Sequence, residues 1–342
     1  MAQIVKLTST DSLSQWDTFV DQSEQGSIFA KSFWLQAVTK GNFEIITIQN
    51  TGRILAGMPL PFSFKRRKQI TNPVFTQVLG VLFAESGRGS YEGRLSEQIE
   101  LTKEIIRVIP SFELFQLNFH YRFTNWTPFY WAGFQQTTRY TYVIQDISTP
   151  ERVMSEFAPA KRNDIKKASK VVRCDFKWRA EEFYNYHELC LKNQGEKIRY
   201  TRSSFNQLSL ACQKANAAQV FRAVDEEGNT HAAMYIVYDA SSAYMLQTAV
   251  DPYYKSTSAL SFLIYEAICF LSSRTRAFDF EGSMIPGAEA SYRKFGGRQM
   301  PIMQITQDRR SIVQKTVAWL KVLVSRILRR FGFVKNVRPQ KQ

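Results

Sequence analysis

The stretch from residue 276 to 305, RAFDFEGSMIPGAEASYRKFGGRQMPIMQI, constrains the fold more than any other part of the chain. Ala277, Phe278 and Phe280 alternate imperfectly with Asp279 and Glu281, the pattern of a buried strand that ends in two carboxylates. Gly282-Ser283 then breaks the strand. Pro286-Gly287 leads into a helix expected over residues 288–295, and Gly296-Gly297 stops it, since glycine accepts the positive φ of a helix end. A last strand is expected over 300–305. Ser283, Tyr292, Arg293 and Lys294 therefore follow closely on two strand-end carboxylates. Two readings stand: a solvated strand–helix–strand corner, or a site carried on loops at the strand end.

A chain of 342 residues has room for two domains, and 44% hydrophobic with 14% aromatic residues gives it cores rather than disorder. Cys174, Cys190, Cys212 and Cys269 form no C-x-x-C pair, and His120, His187 and His231 are equally scattered. No metal site is expected, and a reducing cytoplasm is the simpler compartment. The opening MAQIVKLTSTDSLSQW lacks the basic-then-apolar run of a signal peptide. No uninterrupted apolar run reaches the ~18–20 residues that span a bilayer. The expectation is a cytoplasmic protein, soluble or held peripherally on the inner face of the membrane.

Charge is uneven. Residues 308–342 hold ten Lys or Arg against one acid, so +9 of the net +15 lies in the tail. Within it Ile312, Val313, Thr316, Val317, Leu320, Leu323, Val324, Ile327, Leu328 and Phe331 share one arc at helical spacing, with Trp319 among them and Lys315, Lys321, Arg326 and Arg329 at its edges. This predicts a basic amphipathic helix. It would dock on its own protein, lie on an anionic membrane surface through residues 308–334, or contact tRNA.

Along the rest of the chain, a strand (4–7), two helices (11–20 and 29–39) and a hairpin turning at Asn50-Thr51-Gly52 open the first half. Lys65-Arg66-Arg67-Lys68 is read as a solvated turn. A helix over 96–109, a strand over 112–119 and an aromatic segment over 123–134 follow. Residues 148–150 mark the boundary. Beyond it, residues 161–170 (KRNDIKKASK) place five cations on one helix, either a solvated face or an anion clamp. Two more helices precede strands over 218–224, 231–239 and 243–250. A loop over 252–258 then opens the long helix 259–271, before the closing stretch.

These segments resemble the Fem-like branch of the GNAT superfamily, which holds peptidoglycan aminoacyltransferases and acetyltransferase-like domains of polysaccharide operons. In the first half the resemblance rests on Trp16, Phe19 and Val20, then Gly26, Ile28 and Phe29, then Trp34 and Leu35. Trp126-Thr127-Pro128, Gly133-Phe134 and Thr141-Tyr142-Val143 extend it. The basic helix is similar to the branch's K-x-R-x-x-I-x-K-A through Arg162, Ile165, Lys167 and Ala168. In the closing stretch Asp279, Gly282 and Phe295-Gly296 fit, while the family's lysine falls on Tyr292, with Arg293 and Lys294 beside it. The loop that carries Q/R-x-x-G-x-G/A in GNAT enzymes reads Lys255-Ser256-Thr257-Ser258-Ala259 here and has no glycine.

The resemblance implies an α+β fold of tandem GNAT-like domains, 1–148 and 149–307, with mixed central sheets flanked by helices, followed by the basic helix and tail of 308–342. It implies an acyltransferase or aminoacyltransferase that moves an acyl group from a coenzyme A thioester or aminoacyl-tRNA to an amine. The acceptor would be a cell-envelope or polysaccharide precursor, phosphorylated or lipid-linked. Glu281 or Asp279 would act as base or hold the amine. Arg293, Lys294, Tyr292, Lys255, Ser256 and Ser258 would hold the donor, and Lys161, Arg162 and Lys166 the acceptor. The competing reading is a catalytically inactive adaptor that binds membrane or RNA.

Overall fold

The computed structural model describes residues 3–7, 10–63, 66–282, 284–311, 316 and 320. The first half runs β1 (Gln3–Leu7), α1 (Thr10–Gln22), α2 (Ser32–Thr39), β2 (Phe43–Asn50), β3 (Arg53–Ser63), β4 (Arg66–Thr71) and β5 (Leu82–Phe83). It continues through α3 (Tyr91–Val108), β6 (Leu114–Phe119), α4 (Thr127–Trp131) and β7 (Gln135–Ile144). The second half opens with α5 (Pro150–Glu156), α6 (Pro159–Ala168), β8 (Arg173–Asp175), α7 (Ala180–Asn193) and α8 (Arg202–Lys214). Strands β9 (Ala218–Val224), β10 (Thr230–Tyr238) and β11 (Ser242–Val250) follow, then α9 (Ala259–Leu271), β12 (Ala277–Asp279), α10 (Pro286–Tyr292) and β13 (Arg298–Asp308).

Most elements form where the apolar period puts them. Trp16 of α1 and Trp34 of α2 are fully buried, and the Trp16 Nε1–H donates to the Ala30 carbonyl at 2.7 Å. Helix α3 begins at Tyr91 rather than residue 96, because the Ser90 hydroxyl caps it, accepting from the Gly93 amide at 3.0 Å. Gly93 in the first turn hides that start from a reading by propensity. The basic cluster expected as a turn falls partly in β4, and Lys65 lies outside the described residues. The aromatic segment divides: Phe129 is buried in the core, whereas Tyr130 and Trp131 are exposed, with Lys103 over the Trp131 ring at 5.2 Å. Of the expected tail helix only Thr316 and Leu320 are described, both helical and exposed; the rest of it lies outside the described residues, as does Ser283.

The strands make one mixed sheet in the order β1-β2-β3-β4-β6-β13-β7-β12-β11-β10-β9-β8, with β5 on β3. Its unexpected feature is β13. This strand leaves the second half and inserts between β6 and β7 of the first, pairing Ile305 with both Leu117 and Gln136. β7 in turn pairs with β12, Asp279 opposite Val143. Apolar packing crosses between the halves as well: Phe29 meets Tyr244 at 4.6 Å and Phe75 meets Tyr200 at 4.7 Å. The two halves are thus fused through backbone pairing and a shared core. Among the described residues no helix is long and apolar enough to cross a membrane.

Candidate active site

The parallel pair β11–β12 positions the site. Ser242, Ala243 and Tyr244 register with Ala277, Phe278 and Asp279, and there β12 ends while β11 continues to Val250. The two strands therefore part beyond Tyr244 and Asp279. Ligands of open α/β sheets bind outside the carboxyl ends of parallel strands, and β11 delivers the chain there to the turn Pro252–Thr257 and the start of α9.

A cavity of about 400 Å³ lies at this point. It is lined by Val250, Pro252, Lys255, Ser258, the first turn of α9, and Ser291, Tyr292 and Phe295 from the closing stretch. Lys161 of α6 and Gln194, just after α7, complete the lining. Lys161 arrives because the start of α6 is pinned to the closing stretch. The Ala158 amide donates to the Lys294 carbonyl at 2.9 Å, and Phe157 packs on Phe295 at 5.2 Å. Its Nζ donates to the Ser261 hydroxyl at 3.0 Å, stands 3.8 Å from Asp164 and lies 5.0 Å over the Phe295 ring. Burial lowers the Lys161 ammonium from its usual range; Asp164 opposes that and Lys294 adds to it. A partly desolvated cation at a helix N-terminus, with donor capacity to spare, is suited to an anion.

The carboxyl pair does not itself line the cavity. Asp279 is 2% exposed and accepts from the Thr141 hydroxyl, from the Glu281 amide at 2.7 Å and from Gln77 Nε2 at 3.5 Å. Burial outweighs these bonds and pushes its carboxyl up to about 6. Glu281 has a left-handed backbone, φ +57°, and its Oε1 is buried with no hydrogen-bond partner among the described residues. Burial first, then the Asp279 charge, holds its carboxyl well above the usual range. The same Glu281 charge, after burial, raises the Tyr292 phenol. Two neighbouring carboxyls with separated affinities for a proton can pass one between them.

The residues expected to hold the donor divide. Lys255, Ser258 and Tyr292 line the cavity. Ser256 is exposed beside it. Arg293 is turned outward toward Glu289 at 3.7 Å with its side chain 59% exposed, and Lys294 acts on Lys161 only through its charge. The acceptor trio divides too. Lys161 joins the donor group, while the Arg162 guanidinium donates to the carbonyls of Ser155 and Phe157 at 3.1 and 2.5 Å, satisfying the end of α5. Lys166 is exposed in the last turn of α6. Ser261 and Gln194 gave no sequence signal, since nothing in their local pattern marks them as facing a cavity.

Gly282 fixes the turn that carries Glu281. Its φ is +62°, and an added Cβ would fall 2.1 Å from the Tyr140 carbonyl oxygen. Gly282→Ala is expected to cost at least ~1–2 kcal/mol from the left-handed backbone alone, before the overlap is relieved. Thermal unfolding should show a fall of several degrees, and an unchanged melting temperature would mean that the turn is not held against β7.

Among the described residues no three His, Cys, Asp or Glu gather into a metal-binding group. A second opening lies elsewhere, mainly along the first half. A groove of about 950 Å³ is lined by Gln22, Arg88, Arg94, Gln98, Tyr121, Arg122 and Gln145, among others. It shares Glu24, Tyr121, Arg122 and Gln145 with a cavity of about 190 Å³ bounded by Tyr244, Arg276 and Ala277. The Tyr121 and Tyr244 phenols are both raised, by burial first and by the Asp279 charge among the other causes.

Residues 161–292 match the family model of an acetyltransferase (GNAT) domain. No curated protein sequence matches the chain. Among solved structures, FemX is 12% identical and superposes with a TM-score of 0.65 over 87% of this chain and 96% of its own. A tandem GNAT protein from the clavulanic acid biosynthesis pathway is 12% identical with a TM-score of 0.54, over 91% of this chain and 99% of its own. The C-terminal domain of a candidate lysylphosphatidylglycerol synthetase from Agrobacterium fabrum gives 12% and 0.54, over 94% and 98%. The parted strands, the cavity at the helix start and the matched segment coincide: residues 161–292 form a GNAT acetyltransferase domain, and the chain as a whole has the fold shared by FemX and the tandem GNAT protein.

Proposed function

We propose that the protein is an N-acyltransferase whose donor, a coenzyme A thioester or an aminoacyl-tRNA, places phosphate in the cavity at the start of α9. The observation that carries this reading is the meeting of Lys161, Lys255 and Ser258 at a helix N-terminus, where two parallel strands part. Lys161 and Lys255 supply charge, and the first amides of α9 supply donors. On its parted side β11 has no strand partner beyond Tyr244 among the described residues, so its amides there can donate to the carbonyl oxygen as it gains negative charge. The attacking amine passes its proton through Tyr292 to the pair Glu281 and Asp279. The bond from the acyl carbon to the donor's sulfur or 3′-oxygen breaks, and the departing thiolate or alkoxide takes up that proton. When bound, the donor supplies the activated carbonyl; the protein aligns, stabilises and takes the proton.

The first-half groove is the better acceptor site than the α6 helix face. Three arginines and a row of glutamines fit a polar, hydroxyl-rich or phosphorylated acceptor, such as a cell-envelope or polysaccharide precursor. The basic tail would hold the protein near an anionic membrane or a tRNA.

Calorimetric titration of the full chain with coenzyme A, and separately with tRNA, tests the donor reading and distinguishes the two sources. Lys161→Ala should weaken whichever donor binds by about tenfold or more, the loss of a charge-assisted contact. Binding of neither, or an affinity untouched by Lys161→Ala, would overturn the reading in favour of a non-catalytic adaptor.

A further inference from the structure

The structure assigns His231 a positioning role that no sequence motif marks: with Asp225 and Thr257 it forms a strut that holds the turn Pro252–Thr257 so that Ser258 and the first amides of α9 face the cavity. The inference rests on the reading of that cavity as the donor site.

His231 lies on β10 and is 2% exposed. Its Nε2 is 3.1 Å from Asp225 Oδ2, and its Nδ1 is 3.3 Å from the Thr257 hydroxyl. Its ring lies parallel to that of Tyr254, centroids 3.9 Å apart and planes 8° apart. Asp225 is fixed from the other side, accepting from the Asn229 amide at 2.8 Å and from Asn229 Nδ2 at 3.0 Å. Burial would raise the Asp225 carboxyl, but the bonds from Asn229 and His231 outweigh it and bring it down to about 2. The Thr257 hydroxyl donates onward to the Tyr254 carbonyl at 2.7 Å. At the start of the turn the Asp251 amide donates to the His231 carbonyl at 3.2 Å, and its carboxylate accepts from the Tyr253 amide at 2.9 Å. Both ends of the turn are thereby tied to β10 around one residue.

Two further facts give the strut its purpose. No residue of the turn is buried, so apolar packing does not hold it; hydrogen bonds and one ring stack do. Ser258, which follows, has φ +56° and caps α9 without a side-chain hydrogen bond. A serine in the usual extended cap conformation would spend its hydroxyl on the first amides of the helix. Here it does not, and Ser258 lines the cavity instead. The left-handed conformation is unfavourable for a non-glycine residue and persists only where its surroundings impose it. The turn has no glycine to adopt it freely. The order Asp225, His231, Thr257 also suits a nucleophile and its base, but Thr257 gives its proton to a carbonyl and does not line the cavity. It is a strut, not a nucleophile.

The test compares the full chain with Thr257→Val, Thr257→Ser and His231→Gln, by hydrogen-exchange mass spectrometry and by calorimetry with coenzyme A. Thr257→Val should speed exchange at least tenfold over residues 252–262 alone and weaken coenzyme A at least tenfold. Thr257→Ser should restore both, and His231→Gln should reproduce Thr257→Val. Because Thr257 is only half-buried, its variants keep the test decisive if the His231 variant does not fold. Unchanged exchange in Thr257→Val, or faster exchange with unchanged affinity, overturns the positioning role. If the parent chain binds no coenzyme A, that donor reading fails by itself. Exchange over 252–262 then decides alone: faster in Thr257→Val and restored in Thr257→Ser supports the strut, unchanged overturns it.

Discussion

Glu281→Gln is expected to lower the turnover of acyl transfer by about 10²–10⁴-fold, the loss of a positioned proton acceptor. Burial and then the Asp279 charge hold the carboxyl well above its usual range, and glutamine copies the shape of its protonated form. Glutamine carries no charge to bury, so at pH 7 the variant should be no less stable than the parent, which separates a kinetic defect from an unfolding one. An acid whose folded affinity for a proton exceeds its unfolded one loses stability as pH rises from the unfolded value to the folded one. Glutamine escapes that cost, so the variant should be the more stable of the two proteins at pH 9. Steady-state rates and urea unfolding at both pH values check this. Full turnover in Glu281→Gln would remove Glu281 from the chemistry.

Asp279→Asn should shift stability with a definite sign. Asp279 moves from 3.8 to about 6 on folding, so its proton is lost from the unfolded chain first as pH rises. Its contribution to stability falls between those values and stays lost above them, by ~3 kcal/mol at one unit per ~1.4 kcal/mol. Asparagine can still accept from Thr141 and the Glu281 amide but carries no charge to bury. The difference in unfolding free energy, variant minus parent, should grow by about that amount from pH 4 to pH 8. A difference that is flat or shrinks would mean Asp279 is paired or solvated. A gain in stability with a loss of turnover is the trade expected of a buried catalytic carboxylate.

Much of this was legible in the sequence, and the parts that were not share a cause. Phe278, Phe280 and the glycines at 282 and 296 announced the strand, turn and stop, because burial and positive φ select residue types locally. The resemblance to GNAT enzymes, not local pattern, grouped Lys255, Ser258 and Tyr292 as donor residues. Local pattern could not show that Lys161 leaves its basic neighbours, since that depends on the Ala158 amide meeting Lys294, far along the chain. Nor could it show Arg162 serving the carbonyls at the end of α5, or Arg293 turning outward to Glu289. A cation looks the same in sequence whether it meets ligand, backbone or water. β13 was legible as a strand, but its insertion between β6 and β7 was not, because alternation specifies a face and not a neighbour. The His231 strut joins three separate segments and leaves no local pattern.

The most direct test of the central claim is a crystal structure of the full chain with bound donor, grown with acetyl-coenzyme A and, in parallel, with a 3′-aminoacylated CCA trinucleotide analogue. The account predicts phosphate oxygens within hydrogen-bond distance of Lys161 Nζ and the start of α9, and an acyl carbonyl against the parted edge of β11 beside Tyr292. A donor bound in the first-half groove against Arg88 and Arg122, with the cavity at α9 unengaged, would contradict it.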